Sequence, residues 1–281
     1  MTRGGVSGLA APAIALALLL LGPAGAAQAQ KTAPQAVPKA APQAAPQAAL
    51  PPSSGDPQRD YADCMALARS DPEAGLERAF AWRDLGGGDP ARHCVAVALI
   101  GLKHYEDAAR RLEALAQDIA PENRDLRPTI LSQAAQVRHL ADQPEQALAD
   151  QDAAIKLAPS DVELRIDRAV TLATLGRFWD AVDDLNRALD LAPDRSEALV
   201  LRASAYRHLK ILDLARDDVE RALVLAPDDP NALLERGQLR RLAGDRAAAR
   251  DDWLRVIALA EGTPPAEAAR AALARLDVQT E

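Results

Sequence analysis

The chain has 281 residues and a formal net charge of −8, and 48% of its residues are hydrophobic although only 3% are aromatic. The acidic balance argues against non-specific binding to nucleic acid, which depends on cations that neutralise phosphates. Abundant Ala and Leu with few aromatic rings favour closely packed helices over a β-sandwich or barrel. We therefore expect an all-α fold and no nucleic-acid partner.

The first 29 residues have the pattern of a secretory signal peptide. Arg3 supplies a positive charge, residues 9–21 are almost wholly apolar, and residues 27–29 (Ala-Gln-Ala) fit the small-x-small cleavage pattern. The apolar run of about 13 residues is shorter than the roughly 20 that span a bilayer, which argues against a transmembrane anchor. We expect cleavage near Gln30, no integral membrane segment afterwards, and export to the periplasm of a Gram-negative bacterium.

Residues 30–58 form a tract rich in Pro, Ala and Gln. Such a segment has little apolar bulk to bury, and its prolines oppose a regular helix. We predict a disordered, fairly extended linker.

A period of 34 residues runs through the rest of the chain. Pro159, Pro193 and Pro227 each follow an apolar stretch, and they lie 34 residues apart. Small residues recur in the same register, in columns that contain Ala147, Ala181, Ala215 and Ala249; Ala154, Ala188, Ala222 and Val256; and Ala135, Ala169, Ala203 and Gly237. Gly176 and Gly244 share one turn, where Asp142 and Lys210 stand in the other repeats. This spacing predicts pairs of antiparallel helices that cross at small residues and must stack to bury their apolar faces.

These columns, the turn and the closing prolines resemble the tetratricopeptide repeat family. The resemblance implies a right-handed α-α superhelix with four repeats over 128–263, divided at 161, 195 and 229. Upstream, Ala74 and Ala108 indicate degenerate N-terminal repeats over 59–122, with about five inserted residues around 121–127. Residues 264–276 are predicted to form a C-terminal cap helix.

Oppositely charged residues also follow the 34-residue period. Within-unit pairing would join Arg168 to Asp184 and leave Asp150 without a partner, whereas between-unit pairing joins each Asp to the Arg 18 residues later (150 to 168) and accounts for all four aspartates. We therefore predict structural ion pairs between units, with a solvated charged face as the alternative. The predicted pairs are Asp150–Arg168, Asp184–Arg202, Asp218–Arg236 and Asp252–Arg270.

Two cysteines, Cys64 and Cys94, lie on the first helices of adjacent units in this register. In an oxidising compartment an even pair favours a disulfide, which is our prediction. Buried free thiols are one alternative. A metal site with His93 and His104 is another, although the ligand spacing fits no known metal motif. We expect no metal and no cofactor.

The family resemblance also implies a concave groove, lined by the first helix of each unit, that receives segments of partner proteins. The groove residues carried over by position are Gln136, His139, Ile166, Val170, Val200, Ser204, Arg207, Leu234, Gln238 and Arg241. Family members that hold a C-terminal carboxylate use Lys and Asn at the fifth and ninth positions of a unit. Here those positions hold Ser132, Ile166, Val200 and Leu234, and Gln136, Val170, Ser204 and Gln238, so that clamp is missing.

No motif for a catalytic nucleophile or a phosphate-binding loop is present in the sequence. We therefore expect a non-catalytic scaffold that binds other proteins in an envelope or secretion assembly. The alternative is a structural protein that self-associates or acts as a spacer, with no peptide in its groove.

Overall fold

The computed structural model describes residues 55–278, which contain thirteen α-helices, one 3₁₀-helix at Pro121–Leu126 and no strand. The first helices of successive units are α1 (Pro57–Ser70), α3 (Gly88–Gly101), α5 (Arg127–Leu140), α7 (Val162–Thr174), α9 (Ser196–His208) and α11 (Pro230–Leu242). The second helices are α2 (Pro72–Asp84), α4 (Tyr105–Asp118), α6 (Pro144–Leu157), α8 (Phe178–Leu191), α10 (Leu212–Leu225) and α12 (Arg246–Leu259). Helix α13 (Pro264–Val278) closes the stack.

Each first helix packs against the second helix of its own unit and, from α3 onward, against that of the preceding unit. The predicted all-α superhelix is therefore confirmed. The 3₁₀-helix lies where the sequence predicted about five inserted residues. Helix α1 begins within the predicted linker, at Pro57, and α13 continues beyond the predicted end of the cap, to Val278. The predicted signal peptide and the linker up to residue 54 lie outside the described residues.

The shared turn within each unit requires a left-handed backbone. Gly176 and Gly244 have φ angles of 73° and 87°, and Asp142 and Lys210 adopt the same conformation with φ angles of 57° and 63°. The first helices of three units begin with an aspartate whose carboxylate accepts a backbone N–H of the first turn, at Asp56, Asp161 and Asp229. These local signals favour the hairpin turns and helix starts independently of the packing between units.

The predicted columns of small residues are buried at the helix crossings. Ala147, Ala181, Ala215 and Ala249 are fully buried. Gly237 has a particular reason to be glycine, because a Cβ atom there would lie 2.4 Å from Nε1 of Trp253. Trp253 is itself fully buried, so in this unit the small residue on α11 leaves room for the large one on α12.

The predicted disulfide is confirmed. Cys64 of α1 and Cys94 of α3 are bonded and fully buried, with their Cα atoms 6.2 Å apart. The bond joins the first helices of the first two units. No helix between residues 55 and 278 is long and apolar enough to cross a membrane.

Candidate functional site: the concave face and the ion-pair ladder

The first helices line the inner, concave face of the stack. Helix α1 contacts α3, α9 contacts both α7 and α11, and α11 contacts α13, whereas consecutive second helices in the described part of the chain make no comparable backbone contacts. A stack that is closer along one edge than along the other curves toward the closer edge. Helices α7, α9 and α11 therefore share one continuous surface, and side-chain contact between His139 and Thr171 joins α5 to it.

The structure divides the predicted groove residues into two groups. Ile166 and Val200 are only 2% and 8% exposed and belong to the hydrophobic core, so their assignment to the groove is wrong. Their side chains point between neighbouring helices, where each unit must cover the apolar face of the next. The other eight residues are half-buried and contribute to the face: Gln136, His139, Val170, Ser204, Arg207, Leu234, Gln238 and Arg241.

Side-chain hydrogen bonds connect the first helices across this face. The Tyr61 hydroxyl and the Gln133 amide oxygen each lie within hydrogen-bond distance of a His93 ring nitrogen, at 2.8 and 2.7 Å, and so connect α1, α3 and α5. His139 of α5 lies 2.7 Å from the Thr171 hydroxyl of α7. Both ring nitrogens of His93 are thus occupied by protein partners, which argues against the alternative metal site.

The charge of the groove is mixed. Arg207 donates to Glu235 at 2.5 Å, and because Glu235 is buried, its pKa is raised in spite of that guanidinium. Asp167 hydrogen-bonds Ser132, and burial together with Glu163 raises the pKa of Asp167 to about 6. Since Glu235 already neutralises Arg207, two arginines near the groove do not make it a basic surface.

The periodic ion pairs form within units, so the predicted between-unit pairing is wrong. Arg168 donates two hydrogen bonds to Asp184, both of 2.7 Å. Arg202 donates to Asp218 at 2.7 and 2.6 Å, and Arg236 donates to Asp252. We call each of these Arg–Asp pairs a rung. Arg270 is exposed, and Asp252 binds Arg240 of its own unit at 2.8 Å instead.

A link between units nevertheless exists through a different residue. Arg168 also donates to Asp152 of the preceding unit at 2.7 Å, and Arg202 donates to Asn186 in the equivalent way. Residues 150 and 152 point about 200° apart around α6, so only one of them can face α7. That residue is Asp152, whereas Asp150 faces its own unit.

A tetratricopeptide repeat family model matches residues 135–205, which include the complete rung of Arg168 and Asp184 and the turn at Gly176. Among solved structures, pilF of Pseudomonas aeruginosa is 15% identical with a TM-score of 0.54, over 76% of this chain and 98% of that one. MamA from Desulfovibrio magneticus RS-1 is 17% identical with a TM-score of 0.51, over 69% of this chain and 99% of that one. The chain contains tetratricopeptide repeats. No curated protein sequence matches it.

In this tetratricopeptide repeat chain, the unit at 128–161 departs from the regular rung. Ala134 stands where the next unit has Arg168, so Asp150 has no rung arginine. Arg138, one helical turn later, donates instead to Glu113 of the preceding unit, at 2.8 Å, and to Gln143. One carboxylate oxygen of Asp150 is buried without a hydrogen-bond partner.

Asp150 and Glu113 therefore form an acid pair at the junction of two units. Burial and the neighbouring Glu113 raise the pKa of Asp150 to about 7, and Arg138 only partly offsets this effect. Sequence reasoning missed Glu113 and Arg138. The available signal was the 34-residue register, continued through the inserted segment, which aligns Glu113 with Asp152.

Proposed function

We propose that this protein is a non-catalytic scaffold in the bacterial periplasm that holds segments of partner proteins against its concave face, as part of an envelope or secretion assembly. The tetratricopeptide fold is typical of protein-interaction scaffolds, and it supports the assignment of this chain as such a scaffold. The single observation that carries the finer proposal is the continuous inner face. There, half-buried Gln136, Val170, Ser204 and Gln238 recur at the same position of four successive units.

The chemistry of this face suits an extended segment with small apolar anchors and backbone groups to pair. Gln136, Ser204 and Gln238 offer both donors and acceptors, and Val170 and Leu234 offer apolar contacts. The missing carboxylate clamp argues against a mode of binding that depends on a free C-terminus.

The test is photo-crosslinking in living cells. A photoreactive amino acid at Gln136 or at Gln238 should crosslink the same partner, identified by mass spectrometry. The same residue at Val224, which is 81% exposed on a second helix, is the matched control. Equal crosslinking from Val224, or none from the inner face, would refute groove binding.

A paired variant separates binding from folding. Val170→Lys with Gln238→Lys should abolish partner capture while the helical circular dichroism is retained, and Val224→Lys should leave capture intact. A homo-oligomer seen by light scattering and lost in the same pair would instead support the self-associating spacer.

The mature N-terminus, read by mass spectrometry of a periplasmic fraction, should begin near Gln30. A chain that retains residues 1–29 in the cytosol would contradict the proposed location.

A further inference from the structure

A second surface lies on the convex side of the stack, in the notch between the second helices α2 and α4. A cavity of ≈ 190 Å³ opens there, lined by Arg83 of α2, Arg92 and Val95 of α3, and Arg111 and Ala114 of α4. Three arginines therefore surround a small floor that is mainly apolar.

This notch occupies the place that an ion-pair rung fills in later units. Counting by 34 residues, and by 39 across the inserted segment (108 to 147), aligns Arg111 with Asp150 and Asp184. The same count aligns Val95 with Arg168. The unit at 89–122 thus has an arginine where every later unit has a buried aspartate.

The equivalent notch between α6 and α8 shows what is missing. It is also lined by three arginines, but four aspartates accompany them: Arg168, Arg177 and Arg187 with Asp152, Asp180, Asp183 and Asp184. In the notch between α2 and α4, no carboxylate is among the lining residues. The arginines of the α6–α8 notch are therefore accompanied by acids of the same chain. The arginines that line the α2–α4 notch are not.

The arginines of the α2–α4 notch are only partly neutralised from its rim. Arg83 binds the exposed Asp84 next to it at 2.7 Å. Arg92 lies 3.5 Å from Asp89 of its own helix and 3.5 Å from Asp118, and both distances are long for ion pairs. Among the described residues, no carboxylate lies within salt-bridge distance of Arg111. The guanidinium carbons of Arg83 and Arg111 lie 4.8 and 5.5 Å from the centre of one aromatic ring, that of Phe80. Two like charges at one ring repel each other, and an anion between them would relieve that repulsion.

We propose that this notch binds an acidic segment of a partner protein, whose carboxylate replaces the missing rung aspartate. Guanidinium groups bind carboxylates with two parallel hydrogen bonds, as Arg168 and Arg202 do within this chain. An apolar side chain next to that acid rests on Val95 and Ala114. The proposal adds a convex contact that is independent of the concave groove.

We assign the acid to another molecule. The lining of the notch contains no carboxylate, and residues 1–54 contain no Asp or Glu that could supply one.

The test uses the full chain and a fluorescein-labelled peptide of alternating Leu and Glu with a blocked C-terminus, measured by fluorescence anisotropy at low salt. The peptide should bind at least tenfold more tightly than its Leu/Gln counterpart. Arg83→Gln with Arg111→Gln should weaken binding at least fivefold. Arg216→Gln with Arg250→Gln removes two exposed arginines from α10 and α12 and should leave the affinity unchanged.

A further variant places the acid in the notch itself. Ala114→Glu adds a carboxylate at an exposed lining position, so it should block the peptide and raise the melting temperature. Equal affinity for the Glu and Gln peptides, or equal loss in both arginine pairs, would overturn the proposal. Tighter binding of inorganic phosphate than of the peptide would also overturn it, because the ligand would then be a small anion. The groove variant Val170→Lys with Gln238→Lys should bind the peptide normally, so failure of the groove proposal is distinguishable from failure here.

Discussion

The acid pair at the junction of α4 and α6 makes Asp150 costly to ionise in the folded protein, in contrast to the aspartates of complete rungs. The pKa of Asp150 is raised from 3.8 to about 7 because of burial and Glu113. For a group whose pKa is higher in the folded state, stability falls as the pH rises from the unfolded pKa to the folded one. The window is therefore about pH 4 to pH 7, and the full cost is present above it.

The size of this cost follows from the shift. About three pH units at about 1.4 kcal/mol per unit give an upper limit of about 4 kcal/mol. We expect about 2 kcal/mol, because water and the Arg138 guanidinium can rearrange around the ionised pair. Asp150→Asn removes the charge and keeps an amide that can donate to Glu113. At pH 8 the variant should be more stable than the parent by about 2 kcal/mol, at pH 5 it should be more stable by a smaller amount, and near pH 3.5, below both pKa values, the difference should be close to zero.

Asp218→Asn is the matched control, since Asp218 occupies the same position in a complete rung and accepts two hydrogen bonds from Arg202. This variant should lose about 2–3 kcal/mol at pH 5 and at pH 8, because it leaves a half-buried guanidinium without its counter-ion. The assay is chemical unfolding followed by far-ultraviolet circular dichroism, with hydrogen exchange of α4–α6 to locate the effect in a stack that can unfold in parts. If Asp150→Asn changes stability equally near pH 3.5 and at pH 8, or destabilises at pH 8, the reasoning is wrong.

Two further predictions concern packing and covalent coupling. Gly237→Ala should destabilise the chain by about 2–3 kcal/mol, because its Cβ would collide with Trp253. Adding Trp253→Leu should recover most of that loss, since Ala169 and Leu185 are the equivalent pair in an earlier unit. Additive losses in the double variant would contradict the contact. Cys64→Ala with Cys94→Ala should lower the free energy of unfolding by about 3 kcal/mol for a link between residues 30 apart, with increased hydrogen exchange confined to α1–α4; an unchanged unfolding midpoint under reducing and oxidising conditions would argue against the bond.

The repeat architecture follows from the sequence because periodic signals reinforce one another. Each small-residue column, each turn and each closing proline is weak alone, but one register satisfies all of them. The left-handed backbone at Asp142 and Lys210 was predictable only because Gly176 and Gly244 occupy the same position. The same periodicity could not separate core from groove, because Ile166 and Leu234 occupy equivalent positions but differ in burial.

The pairing of the charges was not predictable from spacing, since separations of 16 and 18 residues fit the period equally well. The between-unit choice assumed that every aspartate must have an arginine. In the structure Asp150 has none, and Asp152, two residues away, makes the link between units. Which side chain faces the neighbour depends on its direction around the helix, and a column of identical residues does not specify that direction.

The two departures from the ladder lie in adjacent units, and contacts of a different kind join the first helices there. From Arg168 to Asp252, each unit holds its two helices together with an Arg–Asp rung. In the units before residue 161, the disulfide joins α1 to α3, and the Tyr61–His93–Gln133 hydrogen bonds join α1, α3 and α5. Because covalent and buried polar contacts join these first helices, their stacking does not depend on the charges at Arg111 and Asp150. Arg111 is therefore available for the binding that we propose at the α2–α4 notch, and Asp150 leaves the stability dependent on pH.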